Sequence, residues 1–311
     1  MKTTKNLVCA YLIALCSFAL VGCSGSQSPS AANEIRLSLR GISDVTISYD
    51  EEPLTFYQTT GDELIIKEYM TKNKSSYYAK VKQSGDSIHI SEGSKPFFKS
   101  GFSRRIEVYL PVSYLETLKI TTTDGDIDLS DVTLRLTALR IDSTAGTVDV
   151  KCAVVSTIHL STTKGTLNLG SIEAESIRLD TTSGNVSCDE LIGNIEYTST
   201  SGNADIKSAV GSGSYKANNS GRLNVNYAEV TGDLYLFNKN EDIRLTLPPN
   251  LSFKFEATTK NGSVSTTFGE CLAVDGRTTR GTVGSNPTLS VKTETTNGKI
   301  EVSISGRSVP Q

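Results

Sequence analysis

Tryptophan is missing from the 311 residues, and histidine occurs only at His89 and His159. Two histidines that far apart, each in a strand-like pattern, offer no local pair for acid–base or metal chemistry. No CxxC pair, zinc spacing, phosphate loop or Ser-His-Asp arrangement accompanies them, so the sequence provides no catalytic residues, no metal ligands and no cofactor site. Positive charge is not in excess either. The formal net charge is −3, which argues against a nucleic-acid partner, since such partners select a basic face. Of six cysteines, Cys9, Cys16 and Cys23 lie near the N-terminus. The odd remainder, Cys152, Cys188 and Cys271, does not suggest a disulfide framework.

The longest apolar run, Leu7 to Val21, is too short for a comfortable membrane span and follows Lys2 and Lys5. That is the layout of a secretory signal over residues 1–22. It ends in Leu20-Val21-Gly22-Cys23, which resembles a bacterial lipobox and predicts lipidation of Cys23. Losing Lys2 and Lys5 with the signal takes the charge from −3 to −5. Residues 23–33, rich in Ser, Gly and Ala, read as a lipidated flexible tether. The expected location is the cell envelope, with the membrane as partner through the lipid on Cys23.

What the chain has in abundance is Thr, Ser and one short phrase. KITTTDGDIDL, RIDSTAGTVDV, HLSTTKGTLNL and EYTSTSGNADI end at Leu129, Val150, Leu169 and Ile206, with LDTTSGNVSC between the last two. Their glycines, Gly125, Gly146, Gly165, Gly184, Gly202 and Gly221, are spaced by 21, 19, 19, 18 and 19 residues. Glu241, Gly262 and Gly298 continue the series. A period near twenty marks a solenoid. Alternation on both sides of the marker, as in Val148 and Val150 or Ile158 and Leu160, is a strand period. The prediction is an all-β parallel β-helix, or β-solenoid, of about nine two-strand coils over residues 115–305, with the glycine supplying a backbone conformation at each corner. Ser214 and Lys216 occupy two expected inward positions, which predicts a shifted register in that coil. Residues 268–287 form an insertion, read as a loop or small hairpin projecting from a corner, and 306–311 a C-terminal tail.

Residues 34–114 lack the repeat but still alternate, and read as an irregular N-terminal β cap. Within them Tyr77, Tyr78, Phe97 and Phe98 stand among Lys72, Lys74, Lys80, Lys82, Lys95 and Lys99. These aromatics are expected to pack the cap, with a contact surface as the alternative.

The segment RRIEVYLPVSYLETLKITTTDGDIDL, Arg104 to Leu129, followed by serial T-x-G-x-apolar units, resembles the putative adhesin family of bacterial envelope proteins. The resemblance spans roughly Ile35 to Ile304. It implies a β-helical domain of unknown function, often in a lipoprotein, and brings no catalytic residues to carry over. The expected function is a lipid-anchored, non-catalytic surface scaffold or adhesin that binds a protein, glycan or envelope component. The alternative is a polysaccharide-active β-helix enzyme with carboxylates on its outer face. Asp128 and Asp149, on adjacent coils with Asp124 and Asp126 nearby, are its only stacked acids; as a cation site they rank below a solvated face. Ligand identity and oligomeric state stay open.

Overall fold

The structure is a computed structural model that describes residues 30–306, apart from Lys99 and the Glu270 side chain. Residues 1–29, which hold the expected signal and Cys23, and residues 307–311 lie outside the described residues. The only helical turns among those described are two single 3-10 turns, Ser75–Tyr77 and Gly269–Cys271. Everything else regular is strand, in one open sheet.

Six long strands carry the repeat: β9 (Ile127–Ser143), β10 (Thr147–Thr162), β11 (Thr166–Thr181), β12 (Asn185–Ser199), β13 (Ala204–Ala217) and β14 (Leu223–Asn238). Each pairs in parallel with the next. In β10 the buried residues are Val148 and Val150, then Ala153 and Val155, then Ile158, Leu160 and Thr162. Strict alternation would keep one parity; here it slips by one residue after Val150 and again after Val155. The chain therefore turns at those points while keeping apolar side chains inward. Between the two sides marked by the sequence alternation runs a third, shorter side. Its inward stack Leu134, Ala153, Ile172, Leu191, Ala209 and Tyr227 is in register from coil to coil.

The corner phrase has two physical causes. Gly165, Gly262 and Gly298 donate their N–H to the hydroxyl three residues earlier, on Thr162, Thr259 and Thr295, at 2.9, 2.9 and 3.0 Å. The buried Thr or Ser thus closes the turn. The glycine itself is selected mainly by space. A Cβ on Gly165, Gly184, Gly202 or Gly221 would lie under 3.0 Å from the carbonyl oxygen of the glycine one coil before. Only Gly146 (φ +87) and Gly221 (φ +106) among these corners need the left-handed conformation, so close stacking, more than φ, corrects the sequence expectation.

The coil approaching Gly221 shows the anticipated shift. Gly213, Tyr215 and Ala217 face inward, leaving Ser214 and Lys216 outside. Where Gly213 offers no side chain, the Tyr215 and Tyr227 rings fill the interior, 6.5 Å apart edge to face. Their hydroxyls satisfy each other at 3.1 Å.

Both ends depart from sequence order. At the start, β1 (Asn33–Ser38), β2 (Asp44–Ser48), β3 (Leu54–Thr59), β4 (Glu63–Met70), β5 (Lys80–Ser84), β6 (Ser87–Ser91), β7 (Arg104–Pro111) and β8 (Thr117–Thr122) precede β9. Strands β2 and β3 are a full coil: Val45 and Ile47 pair with Leu118 and Ile120, and Leu54 pairs with Ile127. The β6–β7 coil lies outside them. Antiparallel β4 and then β1 continue beyond β7, and antiparallel β5 beyond β6.

The far end repeats the device with β15 (Ile243–Leu247), β16 (Phe253–Thr259), β17 (Val264–Thr266), β18 (Leu272–Asp275), β19 (Thr278–Val283), β20 (Leu289–Thr295) and β21 (Ile300–Ile304). The last strands β20 and β21 slot between earlier ones, β20 between β14 and β16 and β21 between β15 and β17. The hairpin β18–β19, inside the predicted insertion, pairs antiparallel along the edge of β16 and covers it. Coils made from either end of Ala31–Gln311, one compact unit, are thereby flanked on both sides, which opposes fraying and edge-to-edge pairing.

Candidate functional site

One outward ladder carries the acids singled out in sequence. Asp128, Asp149, Asn168, Ser187, Asp205, Asn224, Arg244, Glu301 and Ser265 follow rung by rung, with Glu301 ahead of Ser265 because of the strand exchange. Asp128 and Asp149 are in register on neighbouring rungs, but their carboxylates do not converge on a common ligand. Asp128 accepts from its own Ser130 backbone at 2.9 Å, and Asp149 accepts from Asn168 on the next coil at 2.7 Å. Asp126 accepts from the Thr147 N–H at 2.7 Å. The same use recurs where Asn224 donates to Asp205 at 2.5 Å. Among the described residues no group of three or more His, Cys, Asp or Glu is arranged to hold a metal.

A second outward ladder collects the basic residues. His89, Thr46, Lys119, Arg140, His159 and Arg178 lie in consecutive register. The two histidines are thus four rungs apart, about 19 Å along the axis. His159 sits between charges: its Nδ1 meets Arg140 at 2.7 Å and its Nε2 meets Asp180 at 2.8 Å. Arg140 also makes a two-pronged pair with Asp142 at 2.7 and 2.8 Å, and Arg178 binds Asp180 at 2.6 Å. Around Arg140, His159 and Arg178 the stripe is locally neutralised, by acids on the same strand and by contacts to the next rung.

The densest charge lies at the N-terminal corner, which sequence reading missed. Glu52 stands where the stack would place a glycine, so Gly125 packs on its carbonyl. Its side chain turns under the corner and meets Arg104, whose side chain is fully buried. Nη2 of Arg104 donates to Glu52 at 2.8 Å and Glu92 at 2.9 Å, while Nη1 donates to the Tyr77 carbonyl at 2.7 Å. Lys95 lies within 3.1 to 3.8 Å of Asp50, Glu51, Glu52 and Glu92. Burial raises the Glu52 carboxyl, but the Glu92 hydrogen bond, Arg104 and Lys95 outweigh it and hold its pKa below the ordinary value. Burial and the neighbouring Glu52 push Glu92 the other way. Behind them Glu68, fully buried, accepts from Asn33, Ala79 and Tyr49 at 2.7, 2.8 and 3.2 Å. This network joins β1, β4, β7 and the β2–β3 corner to the loop before β7. Its only sequence signal is Asp50-Glu51-Glu52-Pro53, a corner lacking the Thr and Gly that mark the others.

Of the cap aromatics, Tyr77 and Phe102 pack edge to face at 5.4 Å as expected. Phe97 and Phe98 do not: they are 93% and 78% exposed. Concavities of about 540 and 590 Å³ lie at the two ends, beside Leu39–Ser43 with Ser113–Glu116, and beside Pro249–Ser252 with Phe268. A side depression of about 340 Å³ holds Asp205 with Arg222 and Arg244. That is one carboxylate, already bonded to Asn224, where glycoside hydrolysis needs two across the scissile bond.

No curated protein matches the chain. Among solved structures it is similar to a putative adhesin from Bacteroides fragilis, at 12% identity and TM-score 0.45, covering 87% of this chain and 96% of that one. It is similar to a putative adhesin from Parabacteroides distasonis with the same identity and coverage and a TM-score of 0.43. A putative cell adhesion protein from Clostridium sporogenes matches at 11% identity and TM-score 0.30, covering 88% of this chain and 99% of that one. The family model described as Toastrack DUF4097 matches residues 42–303, from the first coil to the last strand, and the chain belongs to the Toastrack DUF4097 family.

Proposed function

We propose that this protein is a lipid-anchored, non-catalytic scaffold of the cell envelope that binds a protein, glycan or envelope component through its side faces. The observation that carries this reading is how the outward polar groups are used. Asp149 with Asn168, Asp205 with Asn224, and Asn185 with Asn203 bond along the ladder from coil to coil. So do Asn240, Asn297 and Asn261. Side chains held this way present flat, pre-ordered polar faces suited to broad, weak contact. Many copies on one membrane would strengthen such contact through effective concentration. Catalysis instead needs groups convergent on one reacting atom.

The test has two arms. Replacing Cys23 with Ala in cells is expected to leave uncleaved precursor and abolish labelling by a fatty-acid probe; unchanged labelling removes the anchor. The purified body is incubated with a panel of envelope and host polysaccharides, with and without Ca²⁺, and is expected to retain some of them without releasing reducing ends or unsaturated products. Turnover that disappears in an Asp128→Asn, Asp149→Asn double variant would replace the scaffold with an enzyme.

A further inference from the structure

Two phenylalanines at the tip of one loop expose most of their side chains to water, whereas Phe56, Phe253, Phe255 and Phe268 are buried. Phe97 and Phe98 contact each other edge to face at 4.9 Å, and their 93% and 78% exposure leaves the rings free to bury against something else. The loop is held in place. Thr71 donates to the Gly101 carbonyl at 2.9 Å and accepts from the Ser103 N–H at 2.9 Å. Lys72 donates to the Ser100 carbonyl at 3.0 Å, and the Ser94 N–H donates to the Ser76 carbonyl at 2.9 Å. The two segments joined by these bonds, residues 71–85 and 93–103, contain no Asp or Glu. They bring Lys72, Lys74, Lys80 and Lys82 to the surface, all exposed. Of the acids bordering them, Asp50, Glu51, Glu52 and Glu92 lie 3.1 to 3.8 Å from Lys95, and Asp86 accepts from the Ser43 hydroxyl at 2.6 Å.

The N-terminal chain emerges at this same corner. The Ala32 N–H donates to the Glu68 carbonyl at 2.8 Å, and Asn33 pairs with Glu68, two residues before the Met70 that ends β4 and leads into Thr71. Ala32 is nine residues along the chain from Cys23. Fully extended, that stretch spans at most about 30 Å.

We propose that the Phe97–Phe98 tip and the exposed lysines of these two segments dock on an anionic lipid bilayer, the rings entering the interface and the ammonium groups meeting lipid phosphates. Exposed aromatic rings partition favourably to the membrane interface, and lysines near it are attracted by anionic headgroups. The contact would fix which end of the solenoid faces the bilayer and turn the side ladders away from it. The proposal rests on the lipid anchor at Cys23 for proximity alone; the docking chemistry belongs to the folded body.

The test uses the Ala31–Gln311 unit, whose described core is complete without the preceding residues, so a failed anchor at Cys23 cannot mimic a failed surface. It is sedimented with phosphatidylcholine vesicles and with vesicles containing phosphatidylglycerol. The expected result is co-sedimentation with the anionic vesicles that falls as salt is raised. A Phe97→Ser, Phe98→Ser variant should partition about tenfold more weakly or less still, with unchanged thermal melting because neither ring is packed in the core. A Lys72→Glu, Lys74→Glu, Lys80→Glu variant should lose the preference for anionic vesicles. Equal binding by the serine variant, or no binding to either vesicle, overturns the proposal. A salt-insensitive dimer that the serine variant converts to monomer would assign the surface to a second copy and overturn it as well.

Discussion

A single methyl group tests the corner stack. Gly165→Ala would place a Cβ under 3.0 Å from the Gly146 carbonyl oxygen, backbone that cannot move without displacing a neighbouring coil. The expected cost is about 1–3 kcal/mol. Gly61→Ala is the control: it has ordinary φ and only Thr59 Oγ1 at 3.6 Å, so its melting should stay within about 0.5 kcal/mol of the parent. Comparable losses at both positions would mean that glycine was chosen for flexibility. Thiol chemistry gives a second contrast. Burial pushes the Cys188 thiol up to about 12, and it lies inside the core, whereas Cys271 is exposed. Iodoacetamide on the native protein should alkylate Cys271 and spare Cys188 until denaturant is added. The spacing of the glycines announced the stack, but not the lack of room for a methyl group behind each one, because that depends on a carbonyl one coil away.

At the scale of elements, the end hairpins are the informative parts. Phe268 is buried and packs edge to face on Phe253 at 5.4 Å and Phe255 at 5.2 Å, tying the β18–β19 hairpin to the last strands. Phe268→Ala is expected to raise amide exchange throughout Leu272–Val283 while β10 and β11 keep their protection. Uniform loss of protection would show that the solenoid unfolds as one unit from this end. Within the long strands, the assigned faces predict that Leu167→Asp costs several kcal/mol, since it buries an unpaired carboxylate. Asn168→Asp should cost less than about 1 kcal/mol, and more at low salt, because it removes the donor to Asp149 and sets two carboxylates on adjacent rungs. Matching losses in thermal melts would reverse the two faces. The alternation exposed these faces directly. It did not expose the middle side of each coil, where only one to three residues turn inward before the parity slips.

For the whole molecule, alkaline pH probes the core. Burial raises the hydroxyls of Tyr215 and Tyr227 above their ordinary range; for Tyr49 burial, then Glu68, does the same. Cys188 joins them at about 12. Unfolded, these groups release protons near ordinary values of about 8.5 for Cys and about 10 for Tyr, while the folded chain retains them. The folded state then binds more protons, so stability is complete below about pH 8.5 and declines as pH rises beyond it. Melting temperatures taken from neutral to alkaline pH should trace that decline. A Tyr215→Phe, Tyr227→Phe double variant removes two hydroxyls that satisfy only each other and should be nearly neutral at pH 7. Its alkaline decline should be shallower; an unchanged slope would locate the linkage elsewhere.

The sequence alone determined the period, the two outer sides of each coil, the corner phrase and the rung order of the outward ladder as far as Arg244, because each of these is written in residues near one another along the chain. Only the tertiary structure decided that the first coil lies inside the β6–β7 coil, that Glu301 precedes Ser265, that Glu52 replaces a corner glycine over Arg104, and that Phe97 and Phe98 face water. Parallel rungs with the same alternation can exchange places without changing any local pattern. Which rung neighbours which is settled by long-range pairing at the two ends, where the chain must cover its own exposed edges.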